Sequence, residues 1–170
     1  VENHNSDMVT KLIAKGVDPN IIKTNGDTAL FTSLDSGFLD ITNLLLNYKK
    51  TNIDIQNSEG QTALIWAIQQ GYEDLVRKIL EKGANPNIVD QKGNNALKIA
   101  SDLGDVTIFN ILLQSEKIDL NDKNLFSLLM STDNSKIMQI LLSKGISPNI
   151  GNQSALLENL KNNNYQIVDM

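Results

Sequence analysis

The sequence predicts an all-α solenoid, a stack of helix–turn–helix units, on three observations. First, the stretch from Gly60 to Asp90 reads as one complete supersecondary unit with a capped start and a glycine stop. Second, the unit recurs: Gly26 lies 34 residues before Gly60, and Gly93 lies 33 after it. Third, two short helices with one-sided apolar faces cannot bury themselves alone, so each unit needs copies on either side.

Within the central unit, Thr62 is the expected N-cap of a short helix. Its apolar residues Ala63, Leu64, Ala67 and Ile68 share one face. Gly71 supplies the left-handed residue that ends it. The second helix carries Glu73 and Asp74 in its first turn, where the macrodipole favours acids. Leu75, Val76, Ile79 and Leu80 form its expected buried stripe, Gly83 its stop, and Asn85-Pro86-Asn87 starts an extended turn.

Before this unit, Met8, Val9, Leu12 and Ile13 with Gly16-Val17-Asp18-Pro19-Asn20 match its second helix and turn, without a first helix. The next copy starts at Gly26-Asp27-Thr28-Ala29-Leu30, passes Gly37, Ile41, Leu45 and Leu46, and has Lys49-Lys50 where a glycine is expected. The copy after Gly93 runs Asn95-Ala96-Leu97, Ala100, Gly104, Ile108 and Leu112-Leu113. The register then slips: Asn124 follows Asn95 by only 29 residues, and Ser154 follows Asn124 by 30. Both losses fall in the connecting turn, so unfolding is expected to begin at this C-terminal pair. The chain is therefore read as a single domain, 1–170. It comprises a partial repeat 1–24, repeats at about 25–58, 59–91, 92–121 and 122–151, and a partial repeat 152–170.

Thr28-Ala29-Leu30, Thr62-Ala63-Leu64-Ile65-Trp66-Ala67 and Gly83-Ala84-Asn85-Pro86-Asn87 resemble the Thr-Pro-Leu-His-x-Ala start and closing turn of ankyrin repeats, whose period is about 33 residues. The motif's Pro is Ala at 29, 63, 96 and 155, and its His is Phe31, Ile65, Lys98, Ser127 and Leu157. In the family that His ties neighbouring turns together, so the resemblance implies an array resting more on apolar stacking. It also implies β-hairpin-like turns projecting from antiparallel helix pairs, and a concave side lined by turns and first helices. The implied function is binding of another protein, without intrinsic chemistry.

Carried over by the resemblance, the partner-facing residues are Thr24, Asn25, Asp27, Asp35 and Ser36 in the first full repeat. In the second they are Ser58, Glu59, Gln61, Gln69 and Gln70, and in the third Gln91, Lys92, Asn94, Asp102 and Leu103. Ser131, Thr132, Lys161 and Asn162 are the counterparts in the irregular repeats. Trp66, the one tryptophan, has two readings: framework packing between first helices, or an interface anchor. Leu103 stands where Ser36, Gln70 and Thr132 stand in other repeats, and reads equally as a contact anchor or an isolated surface leucine. Tyr72 and Phe38 share a position just after a helix-ending glycine, which suggests a common structural role.

Composition narrows the function further. A net charge of −5 with interspersed signs argues against a binder of phosphate backbones, so no nucleic-acid partner is expected. With no cysteine and a single histidine, His4, a catalytic triad or thiolate metal site has no parts. Gly26, Gly60 and Gly93 occur once per repeat, as turn glycines rather than a phosphate loop. No enzyme activity, cofactor or metal is expected. No apolar run approaches a membrane span, no signal peptide opens the chain, and cysteine usage fits a reducing compartment, so the expected location is cytoplasmic, or inside a host cell for a secreted effector. Residue 1 is Val, so the true N-terminus is expected to lie upstream or to have been removed.

The acidic and amide tips Asp27, Glu59, Gln61, Gln69 and Gln70 suggest a polar partner of basic character. The alternative expectation is a targeting or regulatory arm of a larger enzyme or secreted effector. Met8, Leu12, Ile13 and Ile167 are expected to leave apolar end faces, covered by flanking sequence or by end-to-end self-association; otherwise the chain is a monomer.

Overall fold

The computed structural model describes residues 2–24, 26–118 and 134–143. Among them lie eight helices and no strand. These are α1 (Glu2–Ala14), α2 (Ala29–Asp35), α3 (Leu39–Asn47), α4 (Ala63–Gln69), α5 (Glu73–Glu81), α6 (Ala96–Asp102), α7 (Val106–Leu113) and α8 (Ser135–Ser143). Asn25, the shortened turns after 118, and repeats four and five apart from α8 lie outside the described residues.

The helices begin where a side chain can cap them. Thr28, Thr62 and Asn95 accept from the backbone N–H of Phe31 (3.4 Å), Ile65 (3.3 Å) and Lys98 (2.9 Å), which satisfies donors a helix start leaves open. The first helices end alike. Gly71, at φ +70°, lets Tyr72 N–H reach back to the Ala67 carbonyl (3.0 Å), and Gly37 and Gly104 make the same stop for α2 and α6.

Packing follows the pairing. α2 lies on α3, α4 on α5 and α6 on α7, while the first helices stack in turn, α2 on α4 and α4 on α6. The second helices form the other layer, with α1 against α3, α5 against α7 and α7 against α8. One continuous core runs between the layers through Leu30, Leu45, Leu64, Ile68, Val76, Ile79, Leu97, Ile108, Leu112, Ile137 and Leu141. Leu75 and Leu80, expected in the buried stripe of α5, are only half-buried; full burial falls on Val76 and Ile79, which point between the layers. In α1 Met8 (61% exposed) and Leu12 (44%) are open, as expected, whereas Ile13 packs on the core.

Two buried positions carry different chemistry in successive units. Ser33 Oγ bonds to Thr42 Oγ1 (2.9 Å) and donates to the Leu30 carbonyl (2.8 Å) between α2 and α3. In the next unit the same register places Ala67 and Val76, both fully buried.

The connecting turns are hairpin-like, as expected. Lys23 N–H reaches Asp27 O (2.9 Å), Asn57 N–H reaches Gln61 O (3.0 Å), and Asp90 N–H reaches Asn94 O (3.0 Å). The repeats are also tied to one another by hydrogen bonds, which act beside the apolar stacking expected where the motif's histidines are missing. Asn20 Nδ2 donates to Lys50 O (2.7 Å) and its Oδ1 accepts from Asn52 N–H (2.7 Å). Asp54 Oδ1 accepts from Asn85 N–H (3.0 Å), and Asn87 Nδ2 donates to Lys117 O (2.7 Å). Nearer the tips, Gln56 Nε2 donates to Val89 O (2.8 Å). Short amide and carboxylate side chains thus bridge adjacent backbones at the period of the repeat, a role one histidine per unit is not needed to fill.

Candidate interaction surface

The turn tips form by local chemistry. In the turns at 57–61 and 90–94 one side chain organises the loop. Asn57 Oδ1 accepts from the N–H groups of Glu59 (3.0 Å) and Gln61 (2.9 Å), and Asp90 Oδ1 accepts from Lys92 (2.9 Å) and Asn94 (2.9 Å). Gly60, at φ +74°, closes its turn where the next comes near: a Cβ there would lie 2.7 Å from the Gln91 backbone nitrogen. Gly26 has the same relation to Ser58, also at 2.7 Å. The turns are therefore stacked edge to edge.

On this frame Thr24, Ser58, Glu59, Gln91 and Lys92 are exposed at the tips, and Asp27, Gln61 and Asn94 are half-buried at the turn exits. Asp35, Ser36, Gln69, Gln70, Asp102 and Leu103 are exposed at the ends of the first helices. Gln61 Nε2 donates to Gln69 Oε1 (2.7 Å), which joins a tip to the end of α4, and Lys98 pairs with Asp102 along α6. The Gln91 amide donates to the Ser58 carbonyl, so its side chain holds the turns together. Trp66 is half-buried, packs against the core, and meets Tyr72 with ring centroids 5.8 Å apart at 54°.

Phe38 and Tyr72, expected to share a structural role, and Leu39, which the sequence did not single out, are all exposed. Phe38 and Tyr72 do share a position, the N-cap of α3 and α5, but neither supplies a capping hydrogen bond. At the matching place Asp105 does cap α7, accepting from Ile108 N–H at 2.9 Å. An aromatic at an N-cap was the signal available in the sequence.

On the opposite edge a shallow cleft of about 400 Å³ opens between the ends of α5 and α7, lined by Arg77, Leu80, Glu81, Ile111, Glu116 and Lys117. Among the described residues no group of three His, Asp or Glu side chains could hold a metal ion, and no helix is long and apolar enough to cross a membrane.

Helix pairs stacked in two layers, with bridged hairpin turns along one side, define a repeat scaffold of the kind that presents a surface rather than a reaction centre. The chain belongs to the ankyrin repeat family: the family model for ankyrin repeats (3 copies) matches residues 1–90. It is similar to a putative ankyrin repeat protein of Acanthamoeba polyphaga mimivirus, 44% identical over 85 residues, which are 47% of this chain and 21% of that protein. It is 33% identical over 121 residues to the Ankyrin repeat and KH domain-containing protein mask-1 of Caenorhabditis elegans, covering 70% of this chain and 5% of that one. The Nuclear factor NF-kappa-B p105 subunit of Gallus gallus is 28% identical over 144 residues, 77% of this chain and 14% of the relative. The chain thus spans a small part of the relatives it matches. Ankyrin repeats are protein–protein interaction modules and are generally non-catalytic.

Proposed function

We propose that the chain recognises a partner protein along the concave side made by the turns at 23–27, 57–61 and 90–94 and by α2, α4 and α6, and that it has no catalytic activity of its own. The observation that carries this reading is the hydrogen-bonded stacking of the turns, which presents tip residues of successive repeats as one preorganised row. A preorganised row loses little conformational entropy on binding. Glu59, Gln70 and Leu103 are the central residues of the proposed contact. Replacing the three with Ala is expected to weaken capture of a cognate partner at least about tenfold while circular dichroism stays unchanged. Undiminished capture would move the site elsewhere.

A second reading, an arm that targets or regulates a larger enzyme or secreted effector, is favoured by the small share of each relative that the chain spans. Open apolar side chains at Met8 and Leu12 fit either flanking repeats or self-association. Sedimentation of this chain beside a version lengthened at both ends separates them. Only self-association predicts a concentration-dependent mass that the longer version loses. We place its action in the cytoplasm, or inside a host cell for an effector.

A further inference from the structure

We propose that the edge formed by the loops between first and second helices is a docking strip for a basic, apolar-punctuated protein segment. This deepens the reading above and rests on it, since the strip borders the ends of the same first helices. Four large apolar side chains lie open along it, one or two per repeat: Phe38 (45% exposed), Leu39 (64%), Tyr72 (51%) and Leu103 (56%). Because α2, α4 and α6 stack in register, so do the loops that follow them. Trp66 backs the strip from below through its contact with Tyr72.

Helix formation does not explain these residues. Phe38 and Tyr72 occupy N-cap positions where Asp105 shows that a carboxylate caps the helix, and a side-chain acceptor at the N-cap stabilises a helix start. Two helices forgo that stabilisation in favour of an exposed aromatic ring. Ordinary solubility argues against the arrangement as well, since apolar side chains aligned on one edge mark an interaction surface.

Charge selects the occupant. Segments 34–43, 66–74 and 99–110 hold Asp35, Asp40, Glu73, Asp74, Asp102 and Asp105, and no Lys, Arg or His. Asp102 is paired with Lys98 and Asp105 caps α7; Asp35, Asp40, Glu73 and Asp74 are exposed. The opposite ends of the second helices carry Lys11, Lys15, Lys49, Lys50, Arg77, Lys78, Lys82 and Lys117 against Glu81 and Glu116. The molecule is therefore polarised across its width. A segment with Lys or Arg beside Leu or aromatic residues is steered to the acidic edge and repelled from the other.

The test is to pan a random peptide library against the immobilised full chain and measure the enriched peptides by fluorescence anisotropy. The sole tryptophan, Trp66, serves as a built-in reporter. Enriched peptides are expected to combine basic and apolar residues, to shift Trp66 emission, and to weaken as salt rises. Leu39→Ser with Tyr72→Ser, and separately Glu73→Gln with Asp74→Asn, should each reduce affinity at least about tenfold with circular dichroism unchanged. Glu81→Gln with Glu116→Gln, which removes the same charge from the opposite edge, should leave it within about twofold. Enriched peptides without basic residues, peptides insensitive to both edge variants, or no enrichment at all would overturn the strip. If Glu59→Ala at the tips abolishes peptide binding while both edge variants leave it intact, the strip fails and the recognition surface of the turns stands.

Discussion

The unit of α2 and α3 and the unit of α4 and α5 occupy the same register but are held by different forces. In the second, Ala67 and Val76 are both apolar and fully buried, Asn57 organises the turn, and Gly83 stops the second helix. In the first, Ser33 and Thr42 replace the apolar pair with a buried hydrogen bond. Lys23 replaces the turn-organising Asn57 and sends its amine to Thr32 Oγ1 (2.9 Å), and Lys49-Lys50 replace the glycine. Both units keep the same backbone path. A repeat tolerates exchanged side-chain chemistry so long as each buried polar group finds a partner and each turn keeps its hairpin bonds.

Substitutions matched between the two units sharpen that contrast. The largest effect is expected in the apolar unit. Leu64→Ala removes a fully buried side chain and should cost about 2–5 kcal/mol in denaturant unfolding, whereas Leu80→Ala, at a half-buried site, should cost less than about 2 kcal/mol. Equal costs would mean that the two layers are not packed as described.

Next come the turn glycines. Gly71→Ala meets open space and should lose only the left-handed backbone, about 1–2 kcal/mol. Gly60→Ala drives its methyl to 2.7 Å from a backbone nitrogen of the next turn and should lose more. Thermal melts in which both variants lose the same amount would argue against close stacking of the turns.

In the polar unit, Ser33→Ala strands the Thr42 hydroxyl and should cost about 1–3 kcal/mol. Adding Thr42→Val rebuilds the apolar pair of the neighbouring unit and should recover most of that loss. A double-mutant cycle with no coupling would show the hydrogen bond to be incidental. The smallest expected effect has the opposite sign. Lys23→Asn gives the first turn the acceptor that Asn57 provides in the second, and should raise stability by up to about 1 kcal/mol. A lower melting temperature would show that the Lys23–Thr32 bond matters more than the turn.

Much of this molecule was legible from one sequence because its determinants are local. Caps at Thr28, Thr62 and Asn95, left-handed glycines at 37, 71 and 104, and apolar residues at helical spacing act over a few residues, and repetition made each reading check the next. The family followed from the same periodic marks. What the linear pattern left undecided was long-range. Asn20, Asp54 and Asn87 read as turn residues, and only stacking brings their amides and carboxylates to the backbone some thirty residues on. Leu75 and Leu80 share the spacing of Val76 and Ile79, and only the angle of α5 between its neighbours decides which pair is sealed. Along the chain Phe38 and Tyr72 show only a shared position, Leu39 shows nothing, and Leu103 reads equally as an anchor or a lone surface leucine. Aligned loops turn them into one edge, because helix pairs repeated at a constant offset place equivalent positions side by side.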